Sequence, residues 1–198
     1  EASSVLGYDL WDLVENGPEE QLNQTEYTQP ALLTASIGLF RLAQARGLPS
    51  PDVVAGHSLG EYSALVAAGV LQFADAVMLV QKRGRLMQTS VPLGKGGMAA
   101  ILGLDEEQVR QVCLAASQGE VVQAANYNSP GQVVIAGNNA AIARAIEGCK
   151  EAGARRAMAL SVSAPFHSDL MKPASEELAG VLSEVNFSKP KIIILQNV

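Results

Sequence analysis

The sequence predicts an α/β fold: a parallel-sheet large domain, 1–93 and 164–198, interrupted by a ferredoxin-like βαββαβ small domain, 94–163. Three observations predict it. Val53-Val54-Ala55 is an apolar run that enters Gly56-His57-Ser58-Leu59-Gly60 and passes at once into a helix-forming segment, the order strand, sharp turn, helix. A second buried-strand run, Ile192-Ile193-Ile194-Leu195, stands near the other end. Between them, residues 94–163 alternate strand-like and helix-like segments in the order of a split βαβ unit.

Taken in order, residues 1–52 read as helices and connections. Leu32, Leu33, Ile37, Phe40 and Ala43, widened by Leu39, recur at helical spacing, which predicts a buried helix over 31–45 with Pro30 at its start. Gly47-Leu48-Pro49-Ser50-Pro51 breaks it ahead of the strand at 53. A helix over 74–89 places Ala76, Leu79, Val80, Arg83, Leu86 and Met87 on one face, with Lys82 and Arg85 turned away. In the small domain, strands are expected over 98–104, 121–127, 132–137 and 156–162, and helices over 106–117 and 139–152. Asp105 caps the first helix, and Asn128-Ser129-Pro130-Gly131 is the turn between the middle strands. Pro92-Leu93-Gly94 and Ser163-Ala164-Pro165 are the two crossings. A last helix is expected to run to about residue 184. The chain opens inside a helical pattern and stops just after a strand, so it reads as part of a longer protein, incomplete at both ends.

Composition narrows the function classes. A formal charge of -6 argues against nonspecific nucleic-acid binding, which needs a positive surface. No signal peptide or apolar run of membrane-spanning length is present. Cys113 and Cys149 lie in helix-like segments without a CxxC pattern. They read as reduced packing residues of a cytoplasmic protein, a disulfide being the alternative.

Five positions are candidates to carry chemistry. Glycines on either side of Ser58 suit a turn that leaves its hydroxyl clear beside the unpaired N–H groups of a helix start. The same letters, Ser58-Leu59-Gly60-Glu61, also spell a capping box, and the pentapeptide alone leaves both readings open. Arg83 in an apolar helix face calls for an anion. Either an internal Asp or Glu supplies it, or a ligand carboxylate does; snorkelling is the third reading. His167, in Ala164-Pro165-Phe166-His167-Ser168-Asp169, is expected just before a helix N-terminus capped by Ser168 or Asp169. That positive end favours the neutral imidazole a general base requires. Asn126 and Asn128 are turn formers or amides facing a site.

Gly56-His57-Ser58-Leu59-Gly60-Glu61, then Gln81-x-Arg83-Gly84, then Asn128-Ser129-Pro130-Gly131-Gln132, then Phe166-His167-Ser168 resemble, in order and spacing, the malonyl-CoA:acyl carrier protein transacylases. The resemblance covers essentially the whole chain. It implies a hydrolase-like large domain, Ser58 as nucleophile, His167 as base, the Leu59 amide as an oxyanion donor and Arg83 as the malonyl carboxylate clamp. Met87, Phe166 and Asn128 join Arg83 as expected substrate-binding residues. Leu59 and Phe166 resemble the malonyl-selective pattern, and a bulky ring leaves little room for an added methyl. Relatives also carry an N-terminal Gly-Gln-Gly-Ser-type loop and a later histidine-orienting glutamine, neither within 1–198. The expected partners are malonyl-CoA and acyl carrier protein, for a cytoplasmic monomer that binds neither nucleic acid nor membrane and uses no metal or other cofactor. Lys150, Arg155 and Arg156 are a candidate docking patch for an acidic carrier. The alternatives are a serine hydrolase or thioesterase on the same elbow, and a catalytically silent carrier-docking module.

Overall fold

The computed structural model describes residues 1–92 and 94–196. In chain order the elements are α1 Ala2–Leu6, α2 Leu10–Asn16, α3 Glu19–Leu22, α4 Thr25–Ala45, β1 Val53–Ala55, α5 Gly60–Ala67, α6 Phe73–Thr89, β2 Gly96–Leu102, α7 Glu106–Ser117, β3 Val122–Ser129, β4 Gln132–Asn138, α8 Asn139–Glu151, β5 Arg156–Leu160, α9 Lys172–Ser183 and β6 Ile193–Leu195. The fold is mixed α/β with a parallel strand pair, as expected. The chain divides into two compact units: Glu1–Arg85 with Leu178–Val198, and Leu86–Glu177.

In the first unit, β1 pairs with β6 in parallel, Val54 opposite Ile194. Its core gathers Leu33 and Ile37 of α4, Leu71, and Phe73, Ala76, Val77, Leu79 and Val80 of α6; Leu178, Val181 and Leu182 of α9 pack against it. The apolar face expected on α6 is therefore buried, through Leu86 and Met87 as well, while Lys82 and Arg85 are exposed.

Two expectations for α4 need correction. The helix begins at Thr25, so Pro30 lies inside it. Pro30 is past the first turn, where a missing N–H costs nothing, and its ring is fully buried. The helix is also apolar over more than its inward stripe. Leu33 and Ile37 are buried, but Leu32 and Leu39 are 54% and 68% exposed.

The second unit holds a four-stranded antiparallel sheet in the order β3-β4-β2-β5, reached in the chain order βαββαβ. Alternation along its strands makes two faces. Ala99, Ile101, Val133 and Ile135 point to α7 and α8, where they meet Val109, Cys113, Ala141, Ala145 and Cys149. Met98, Val134 and Ala136 point the other way, with Leu160 and Phe166 packed on them. The Asp105 cap is formed as expected: its carboxylate accepts from the Gln108 amide at 2.8 Å, and Gln108 Oε1 accepts from the Asp105 N–H at 3.1 Å. Strand β3 runs on to Ser129, so Asn128 belongs to the strand and not to the turn, which shrinks to Pro130-Gly131. The ladder skips Asn128 at an irregularity between Tyr127 and Ser129, a bulge that the alternation of residue types does not announce. Leu93, in the first expected crossing, lies outside the described residues.

Candidate active site

The turn after β1 is tight enough to dictate its first glycine. A Cβ on Gly56 would stand 1.9 Å from the carbonyl carbon of Gly60 and 2.0 Å from its oxygen, inside any allowed contact. A Cβ on Gly60 would meet nothing within 4 Å. Of the two glycines, only Gly56 is thus required by close backbone approach. Between them Ser58 takes φ 54°, a left-handed conformation uncommon for a residue other than glycine. The N-cap of α5 is Leu59, which makes no side-chain capping bond, so Ser58 stands one residue ahead of the cap. Its hydroxyl oxygen accepts a hydrogen bond from Arg83 Nη2 at 3.1 Å. The strand-to-helix turn therefore aims the serine at a cation.

Arg83 is held on several sides. Its Nη1 donates to Gln29 Oε1 at 2.7 Å, and its guanidinium carbon lies 5.5 Å from the centre of the Tyr62 ring. Burial pushes the guanidinium below the ordinary arginine range, opposed by Tyr62 and Glu61; it stays a cation. Burial likewise pushes the Tyr62 phenol up, with Arg83 opposing. The sequence called for a carboxylate partner inside the chain as one reading. Among the described residues no ion pair involves Arg83, and the groups that hold it directly are an amide oxygen, a hydroxyl and a ring. Gln29 and Tyr62 were not singled out from sequence. Gln29 lies 54 residues from Arg83, and a glutamine before a proline carries no signal of such a contact.

The remaining candidates lie in the second unit. Met87 is buried one turn beyond Arg83 on α6, Phe166 is half-buried, and His167 and Asn128 are exposed. His167 also takes a left-handed conformation, φ 49°. Ser168 is buried, and its hydroxyl donates to the Pro165 carbonyl at 2.8 Å instead of capping. A short 3-10 turn, Asp169–Met171, comes next, before α9 begins at Lys172. The expected α-helix N-terminus directly after His167 is thus displaced, and with it the dipole argument for a neutral imidazole. Ser58, Leu59 and Arg83 are brought together in one unit; Met87, Asn128, Phe166 and His167 belong to the other. Among the described residues no three His, Cys, Asp or Glu side chains converge as a metal site.

A serine at positive φ between strand and helix, with an arginine on its hydroxyl, gives this α/β chain the strand-turn-helix geometry of a Gly-x-Ser-x-Gly elbow. The chain belongs to the acyl transferase domain family, which matches residues 2–198. It is 56% identical over 198 residues to the malonyl CoA-acyl carrier protein transacylase of Escherichia coli K12, covering all of this chain and 64% of that protein. The Haemophilus influenzae transacylase is 57% identical over 200 residues, again with 64% of that protein covered. Among solved structures, the Coxiella burnetii malonyl CoA-acyl carrier protein transacylase superposes with a TM-score of 0.98 at 51% identity, over all of this chain and 62% of that one. A malonyl-transacylase in complex with a type II PKS acyl-carrier protein gives 0.97 at 54% identity, over all of this chain and 64% of that one. The chain thus spans just under two thirds of the length of these relatives.

Proposed function

We propose that the full-length protein transfers a malonyl group from malonyl-CoA to the phosphopantetheine thiol of acyl carrier protein, through a malonyl ester on Ser58. The observation that carries this reading is the Arg83 Nη2 contact to Ser58 Oγ, an anion-binding group beside a candidate nucleophile. Malonyl thioesters have a free carboxylate one carbon from the reacting carbonyl, and a fixed guanidinium next to the serine suits that spacing. Similarity to transacylases, one of them in complex with its carrier protein, supports the substrate pair.

In the proposed cycle His167 takes the Ser58 proton as Oγ attacks the thioester carbonyl. The Leu59 amide donates to the oxyanion, the C–S bond breaks, and coenzyme A leaves as the thiol with the proton from His167. The carrier thiol then attacks the ester carbonyl as His167 takes its proton, the acyl C–O bond to Ser58 breaks, and His167 returns the proton to Oγ, which leaves malonyl-carrier and the restored hydroxyl. Electrons balance without a redox partner, so no cofactor enters the scheme. Met87, Phe166 and Asn128 are proposed to line the acyl site, and the architecture proposed for the whole protein is a hydrolase-like sheet with the βαββαβ unit inserted. The experiment is a partition assay: malonyl-loaded full-length protein is offered the carrier thiol in water. Formation of malonyl-carrier well ahead of free malonate supports the transferase. Malonate alone would make it a hydrolase, and failure to load at all would make it a docking module.

A further inference from the structure

We infer that Gln29 is a positioning residue: it fixes the Arg83 guanidinium while leaving its positive charge unspent for the substrate's carboxylate. The inference rests on the reading of Arg83 as the carboxylate clamp.

Gln29 is 4% exposed, on α4. Its Nε2 donates to Thr25 Oγ1 at 2.9 Å, one turn earlier on the same helix, and Thr25 is itself 8% exposed. Its Oε1 accepts from Arg83 Nη1 at 2.7 Å. The orientation of the amide follows from chemistry, since a guanidinium can only donate and must face the oxygen. The crossing of α4 and α6 is close because position 84 has no side chain: a Cβ there would stand 2.5 Å from the Thr25 carbonyl oxygen and 2.7 Å from Glu26 Cα. Thr25, Gln29, Gly84 and Arg83 thus make one connection from the α4 backbone to the guanidinium.

Charge explains why the buried acceptor is an amide. A carboxylate at position 29 would hold Arg83 as well, and would form an ion pair that competes with an incoming carboxylate. An apolar side chain would leave the guanidinium without its buried partner and free to take other rotamers. Glutamine supplies direction without neutralisation. Tyr62, which offers the electron-rich face of its ring, is another neutral contact of the same cation.

The test uses full-length protein and four variants: Gln29→Met, Gln29→Glu, Arg83→Ala and the double Gln29→Met/Arg83→Ala. The readout is the ratio of kcat/KM for malonyl-CoA to that for acetyl-CoA, with thermal midpoints recorded separately. Gln29→Met should lower that ratio about tenfold, mostly through the malonyl-CoA KM, as loss of one charge-assisted contact implies. Gln29→Glu should lower it further, which a packing role does not predict; either variant alone suffices if the other does not fold. In the double variant, Gln29→Met should lower the ratio no further than Arg83→Ala does. Equal loss on both thioesters in the folded Gln29 variants, or a selectivity loss that adds in full to that of Arg83→Ala, would overturn the inference. An unchanged ratio in Arg83→Ala alone would instead overturn the clamp reading, and this inference with it.

Discussion

Replacing Arg83 by alanine separates a carboxylate-directed transferase from a generic esterase. Gln29 and Ser58 engage two of the five guanidinium N–H groups, Tyr62 also interacts with the cation, and a bidentate substrate carboxylate would take two more N–H groups. A charge-assisted hydrogen bond is worth about 1.5–3 kcal/mol. Two such bonds would give roughly 3–6 kcal/mol at full burial. Because Arg83 is only partly buried, solvent screening discounts this to about 2–4 kcal/mol, a loss of roughly 30- to 900-fold in kcat/KM for malonyl-CoA. Acetyl-CoA has no carboxylate to lose and should fall far less. It should even gain if the cation's desolvation is no longer offset. The assay is steady-state transfer in full-length protein with both thioesters, with circular dichroism and a thermal melt to confirm folding. An equal loss for both would refute the reasoning and leave Arg83 as a brace for the elbow.

The elbow makes a paired prediction for stability: Gly56→Ala should cost about 3 kcal/mol or more in urea unfolding, whereas Gly60→Ala should stay within about 1 kcal/mol. Similar midpoints for the two would contradict the close approach at Gly56. Burial pushes the Cys113 thiol up to about 12 and that of Cys149 up to about 11, so neither is a thiolate at neutral pH. Both should resist iodoacetamide in the folded protein and react once it is unfolded; fast native labelling would contradict the burial of α7 against α8. If Arg155 and Arg156, both exposed, steer the carrier, then reversing both to Glu should raise the carrier KM about three- to tenfold at low salt, with little effect on loading from coenzyme A. Lys150 is left out because it already pairs with Glu147 at 2.8 Å. A carrier KM unchanged at low salt would remove the patch.

The small-domain elements were legible because each carries its own local signal. Apolar runs bounded by turn residues give β2 and β4, and Asp105 gives the start of α7. The turn around Ser58 was legible from the glycines, and the cation beside it from Arg83 breaking the apolar stripe of α6. What was not legible depends on contacts distant in sequence or on backbone angles. That Leu59 and not Ser58 is the N-cap of α5 is one such detail. The neutral cradle of Arg83 joins α4 to α6, and no periodicity reports it. Leu32 and Leu39 have the same spacing signal as Leu33 and Ile37, because an apolar helix does not say which of its stripes faces inward. The left-handed angles at Ser58 and His167 leave no trace in residue type, yet such strain gathers at functional sites. Gln118, the other such residue among those described, ends α7, where a left-handed cap is ordinary.

The most direct measurement is covalent. Full-length protein mixed with malonyl-CoA and quenched in acid should gain the mass of one malonyl group, and peptide mapping should place it on Ser58. The Ser58→Ala variant, folded to the same melting temperature, should gain nothing. Addition of carrier protein should discharge the wild-type adduct onto its thiol. Absence of any adduct in the wild type, or the same adduct persisting in Ser58→Ala, would contradict the assignment of Ser58 as the nucleophile.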